Sequence, residues 1–216
     1  MLKCLTKYTK YVYLQHKSNI MIKKSKSEQA LLQTGRDLFW KYGFRRVSID
    51  ELCNRAGVSK MTFYRYFDDK ADLARAVFNE EVDKAMEEFR TLMTSDLSGA
   101  DKVKGMLQLK AKSAKNISKE FLTDFYQHND SGLREFIEKL SLESWNQTVE
   151  LMLENQRKGV FRQDLNLHFF LILSQKFMDL AFDEQLIAAA GGPEQLILEL
   201  SNLLAFGISG NTSPEQ

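Results

Sequence analysis

Residues 48–73 read SIDELCNRAGVSKMTFYRYFDDKADL, a pattern of two short helices joined by a tight turn with a third helix beginning. Ser48 is a good N-cap, and Glu51 stands three residues on, the spacing of a capping box. Ile49, Leu52 and Ala56 recur at helical spacing and face inward. Gly57 can take the left-handed conformation that ends a helix, and Val58 plugs the turn. Ser59 caps the next helix, which runs to about Tyr66. Phe63 and Phe67 share one face of it, toward the core. Lys60, Met61, Thr62, Tyr64, Arg65 and Tyr66 cover the other faces. A cation, hydroxyls on several sides and a guanidinium suit phosphate oxygens and base edges. A compact helical corner with no ligand does not account for this crowd of polar groups on one short outward surface.

The run AGVSKMTFYRYFDDKADL resembles the DNA-binding signature of the TetR family of bacterial one-component regulators. The matching positions are Thr62, Phe63, Tyr64, Tyr66, Phe67 and Lys70. The close likeness covers roughly Ala30 to Leu73. The rest of the chain matches in length and helical character only. Two positions depart from the family pattern. Met61 stands where a small or turn-forming residue is common and can extend an apolar contact to a thymine methyl. Cys53 replaces the usual alanine, a mild change because a buried cysteine behaves as a small hydrophobe.

The resemblance implies an all-α protein. An N-terminal three-helix helix-turn-helix DNA-binding domain precedes a C-terminal helical ligand-binding and dimerisation domain. It implies DNA contacts from Ser48, Ser59, Lys60, Met61, Thr62, Tyr64, Arg65 and Tyr66, with Lys60 and Arg65 setting sequence preference. Lys70 lies in the first turn of its helix, where the dipole disfavours a cation, and the family pattern has this lysine reaching a DNA phosphate. Arg45 and Arg46, just before the Ser48 cap, are further phosphate contacts or solvated loop arginines. The implied partners are double-stranded DNA carrying a palindromic operator, a second copy of the chain and a small-molecule effector. The implied function is transcriptional regulation, as a repressor released by an apolar or aromatic effector. The alternatives are a DNA-binding dimer without effector control and an interaction module with a vestigial head.

Charge agrees with a head that meets a polyanion. The 216 residues carry a net charge of +1. Residues 1–70 hold 15 Lys/Arg against 6 Asp/Glu, and residues 71–216 hold 15 against 23. A basic head on an acidic body steers toward DNA. Part of this asymmetry comes from residues 1–26, with seven lysines and no acid. Cys4 and Cys53 are far apart and no Cys/His cluster exists, so neither a metal site nor a disulfide framework is expected. That suits a cytoplasmic protein. No apolar run approaches the ~20 residues of a membrane span.

Four stretches follow. Residues 1–24 form a basic extension, either a flexible lead or an arm that touches DNA. Residues 25–70 form the head, whose first helix runs Ser27 to Tyr42. Residues 71–210 form the body, and 211–216 a polar tail. A long helix from Lys70 to about Met93, capped by Asp68 and Asp69, joins head to body and is the lever a ligand would tilt. Helices follow over Asp101–Lys115, from Ser118, and over Leu133–Lys158. Asp164 caps another, and Pro193 opens the last at a favoured position. The two terminal helices are apolar on more than one stripe. Phe169, Leu173, Phe177, Leu180, Leu196, Leu200, Leu203 and Leu204 are read as half of an intermolecular four-helix bundle, with burial inside a single subunit as the alternative.

The sequence holds no enzyme signature. His16, His128 and His168 lack ligand spacing, and no Ser-His-Asp order, phosphate loop or carboxylate pair stands out. No cofactor is expected. Met106, Phe121, Phe125, Tyr126, Phe136, Trp145, Met152 and Phe177 are candidates to line an apolar effector cavity, though each alone reads more readily as plain core.

Overall fold

The computed structural model describes residues 24–127, 132–180 and 182–208. The basic extension before Lys24, Cys4, His16, His128 and the polar tail lie outside the described residues. Among the described residues every regular element is helical.

The head begins with α1, Lys26–Tyr42. Ser25 Oγ accepts from the Glu28 amide at 3.1 Å, and the Glu28 carboxylate accepts from the Ser25 amide at 3.3 Å. This complete capping box starts the helix one residue ahead of the expected Ser27. Leu31, Leu32, Leu38, Phe39 and Trp40 form its buried face. The second helix, α2, spans Ile49–Ala56. Ser48 Oγ accepts from the Glu51 amide at 3.1 Å, but the expected reciprocal half is missing. The Glu51 carboxylate pairs with Arg55 at 3.1 Å instead, because one helical turn on is nearer than the cap. Gly57, with φ +67°, closes α2 in the left-handed conformation. Helix α3 covers Lys60–Tyr66, and Ser59 Oγ accepts from the Thr62 amide at 3.1 Å. The connecting helix α4, Lys70–Thr94, is capped by Asp69, whose carboxylate accepts from the Asp72 amide at 2.6 Å.

The body continues with α5, Gly99–Ala114, and α6, Lys119–Leu122, which runs into a π-helical turn over Thr123–Gln127. Next come α7, Leu133–Arg157, and α8, Leu167–Leu180. Between Asp164 and the Gly191-Gly192 pair the chain forms two helices rather than one. Asp183 accepts from the amides of Gln185 and Leu186 and so starts a separate α9, Glu184–Ala190. Asp164 is not the cap of α8. It is held by Arg162 at 2.6 Å, and Asn166 accepts from the Phe169 amide at 3.0 Å in its place. Pro193 opens α10, Pro193–Ile208.

One apolar core runs from head to body. Leu31, Phe39, Leu52 and Phe63 of the head meet Leu73, Val77 and Phe78 of α4, then Phe121, Phe125 and Leu133 beyond. Each such side chain contributes roughly 1.5–3 kcal/mol on burial. A second cluster farther from the head gathers Met93, Val103, Leu151, Met152, Phe161 and Leu167. Lys102 is buried beside it. Its ammonium donates to the Met93 carbonyl at 2.7 Å and to Asn155 Oδ1 at 2.8 Å. These two acceptors offset the cost of burying the charge, and burial still pushes the Lys102 pKa down.

Candidate nucleic-acid interface

The outward surface of the head is α3. Phe63 is fully buried and Phe67 nearly so, so the helix is pinned from behind. The Phe63 and Phe67 rings meet at a tilt of 53°, with centroids 5.8 Å apart. Met61, 85% exposed, and Tyr64, 54% exposed, stand at the front. Lys60 is also outward, and its ammonium pairs with Asp50 of α2 at 2.5 Å. That carboxylate raises the Lys60 pKa above its usual value. The Arg65 guanidinium lies 5.0 Å over the Tyr66 ring and donates to the Tyr66 hydroxyl at 3.2 Å. Ser25 Oγ donates to the same hydroxyl at 2.7 Å. Tyr66 therefore ties α3 to the start of α1. Ser59 and Thr62 share a hydroxyl–hydroxyl bond of 3.0 Å. Arg45, Arg46 and Ser48 are exposed on the loop before α2. Cys53 is buried, and burial pushes its thiol pKa up, so it packs as a small apolar group.

Lys70 is placed otherwise than expected. Its ammonium turns inward and donates to the carbonyls of Phe44 and Val47, each at 2.7 Å. It also sits 4.3 Å from the centroid of the Phe44 ring. Partial burial lowers its pKa. The unfavourable position at a helix N-terminus is compensated by two carbonyl dipoles of the α1–α2 loop rather than by a phosphate.

The same loop is gripped from the body side. Asp124 Oδ2, on the π-helical turn, accepts from the Arg45 amide at 2.8 Å. The Ser118 amide donates to the Trp40 carbonyl at 3.0 Å. Gly43 has φ +77°, and a Cβ there would lie 2.5 Å from that Asp124 oxygen. Only a glycine lets the turn approach so closely. Around this joint the rings form a continuous set. Trp40 and Phe121 are 4.5 Å apart, Phe78 and Phe125 4.8 Å, and Phe44 and Phe125 5.8 Å.

The residues expected to line one effector cavity are not gathered in one place. Phe121 and Phe125 are packed solid between head and body, with Tyr126 and Phe136 against them. Met152, with Met106 beside it, belongs to the outer cluster. Trp145 is half-buried on α7. Distant chain segments decide this partition, and no local spacing reports it. An open groove of 340 Å³ lies elsewhere, between α5 and α10. Lys104, Leu107, Gln108 and Ala111 line one side, and Gln195, Leu198 and Asn202 the other.

The expected intermolecular face is mixed. Phe169 is 61% exposed and Leu203 64%. Leu180 is exposed, and Leu173 and Leu200 are half-buried. Leu196 is buried within the chain, near the α5 side. The side chains of Phe177, Leu204 and His168 lie outside the described set. Among the described residues no His, Cys, Asp and Glu group can hold a metal ion, and no helix is long and apolar enough to cross a membrane.

Comparison with known proteins places this geometry. Residues 31–77 match the model of bacterial regulatory proteins, tetR family. The HTH-type transcriptional activator FasR of Mycolicibacterium smegmatis is 26% identical over 104 residues. That match takes in 48% of this chain and 42% of FasR, so the chain spans less than half of that relative's length. The fatty acid degradation regulator FadR from Bacillus halodurans has the same fold, with a TM-score of 0.66 at 20% identity. The alignment covers 86% of this chain and 98% of that one. FadR from Bacillus subtilis, solved with stearoyl-CoA, aligns with a TM-score of 0.61 at 16% identity, over 84% and 99% of the two chains.

Proposed function

Because the chain belongs to the TetR family of bacterial regulatory proteins, we propose that it is a sequence-specific DNA-binding transcriptional regulator controlled by a small apolar effector. The observation that carries this reading is the front of α3. A short helix anchored by Phe63 and Phe67 presents Met61 and Tyr64 outward between two cations. Such a helix fits a major groove, and its flanking loops offer Arg45 and Arg46 to phosphates.

A palindromic operator needs two heads. The exposed Phe169 and Leu203 on α8 and α10 are the surface we assign to a second copy, because large apolar side chains left in solvent call for a partner. The two recognition helices then meet half-sites one DNA turn apart, ~34–36 Å, or a multiple. The protein works in the cytoplasm by binding, not by catalysis.

Effector control is supported by the joint between head and body. Asp124 and the ring set fix the loop that precedes α2, so a ligand that shifts α6 and its π-helical turn moves the head. The ligand must favour the arrangement that DNA does not, or nothing is released. The FadR fold solved with stearoyl-CoA supports an apolar, acyl-like effector. Repression is the sign we assign. The name of FasR, an activator, favours the opposite sign as the second reading.

Selection of bound fragments from genomic DNA by the purified protein tests the proposal. A recurring palindrome, bound as a dimer and released by acyl compounds, is the expected result. No enrichment of any sequence at low salt would overturn it.

A further inference from the structure

The chemistry on the front of α3 is arranged in order of angle. At about 100° per residue, Met61 and Tyr64 are ~60° apart and form one ridge. Lys60 and Arg65 flank that ridge, one on each side, and Phe63 lies behind it. Each cation already has a partner. The Lys60 ammonium holds Asp50 at 2.5 Å, and the Arg65 guanidinium lies on the Tyr66 ring and bonds its hydroxyl. Thr62 spends its hydroxyl on Ser59. The Tyr64 hydroxyl takes no hydrogen bond among the described residues, and Met61 is 85% exposed.

A helix in the major groove has base edges before its centre and phosphates at its flanks. Here the centre is apolar and the flanks are cationic. The apolar group on the groove floor is the thymine C5-methyl. Bidentate guanine contacts, the commonest work of Lys and Arg at base edges, would require Lys60 to leave Asp50 and Arg65 to leave Tyr66. They would also leave the Asp50 carboxylate facing DNA without its cation.

We propose that Met61 and Tyr64 form an apolar ridge that reads thymine methyl groups at the centre of each half-site, with Lys60 and Arg65 serving the flanking phosphates. This rests on the regulator reading above and deepens it. It replaces the expectation that the two cations set sequence preference. Sequence preference then resides in a methionine whose removal costs the fold little, since it packs against almost nothing.

The test uses the full-length protein and the operator it selects. Each thymine of one half-site is replaced singly by deoxyuridine, which deletes one methyl and leaves every hydrogen-bonding edge in place. At one or two positions the wild type should bind about four-fold more weakly, the effect of withdrawing one buried methyl. The same replacements should cost Met61→Ala and Met61→Gln nothing further at the position Met61 covers, while both variants melt with the wild type. Wild-type binding indifferent to every replacement, or a penalty that persists undiminished in Met61→Ala, would overturn the ridge while leaving the regulator standing. A protein that selects no operator at all would overturn both.

Discussion

Replacing Lys70 by methionine keeps the side-chain stem and removes the ammonium. Two hydrogen bonds of 2.7 Å to the Phe44 and Val47 carbonyls are lost, with the contact over the Phe44 ring. A hydrogen bond to a charged group contributes about 1.5–3 kcal/mol, and a cation over an exposed ring about 0.5–1. The half-buried ammonium also loses hydration, which offsets part of the gain. A net destabilisation of about 2–3 kcal/mol remains. For a chain of this size each kcal/mol moves Tm by roughly 2–4 °C, so Lys70→Met should melt about 4–12 °C lower. Melts must share one protein concentration, because the stability of the proposed dimer depends on it. DNA titrations at several salt concentrations, well below the melt, give the second readout. The slope of log affinity against log salt should equal that of wild type. An unchanged Tm with a slope shallower by about 0.9 would put the ammonium on a phosphate and refute the inward assignment.

Three further outcomes follow from the geometry. Asp124→Ala removes the acceptor of the Arg45 amide, so exchange of that amide should quicken by about ten-fold or more; unchanged protection would mean the body does not hold the loop. Burial lowers the Lys102 pKa, so between its folded value and 10.5 the unfolded chain binds more protons and stability rises with pH. Lys102→Met should flatten that alkaline rise in urea titrations from pH 8 to 10, and an identical slope would count against the buried assignment. Phe169→Glu combined with Leu203→Glu should convert the proposed dimer to monomers in sedimentation velocity, and a dimer that persists in the double variant would move the interface elsewhere.

Short-range signals were legible. Ser48, Ser59 and Asp69 each cap the helix their position announces, because the bond they make spans three residues. The Phe63–Phe67 face needed only the helical period. Where two local partners compete, spacing was not enough. Glu51 fits a capping box equally well as a turn pair and takes Arg55. Asp164 reads as a cap, yet Arg162 holds it and Asn166 does the capping. The full box at Ser25 and Glu28 was present in the letters and is found by the same rule. Long-range choices left no such trace. Nothing near Lys70 tells that its ammonium meets carbonyls 23 and 26 residues earlier. Phe121 and Phe125 fit a ligand cavity or a joint equally well by composition. Their place is decided by Phe39, Trp40, Phe44 and Phe78.

That joint limits how the protein can be re-engineered. Attaching a foreign head at residue 70, to redirect the body to a new promoter, would put unfamiliar side chains against Phe121, Phe125 and Asp124. A working hybrid must carry residues 118–127 along with the transplanted head, or restore Trp40, Gly43 and Phe44 within it. Compatibility between donor and recipient is thus written in ten residues that lie some fifty positions beyond the recognition helix.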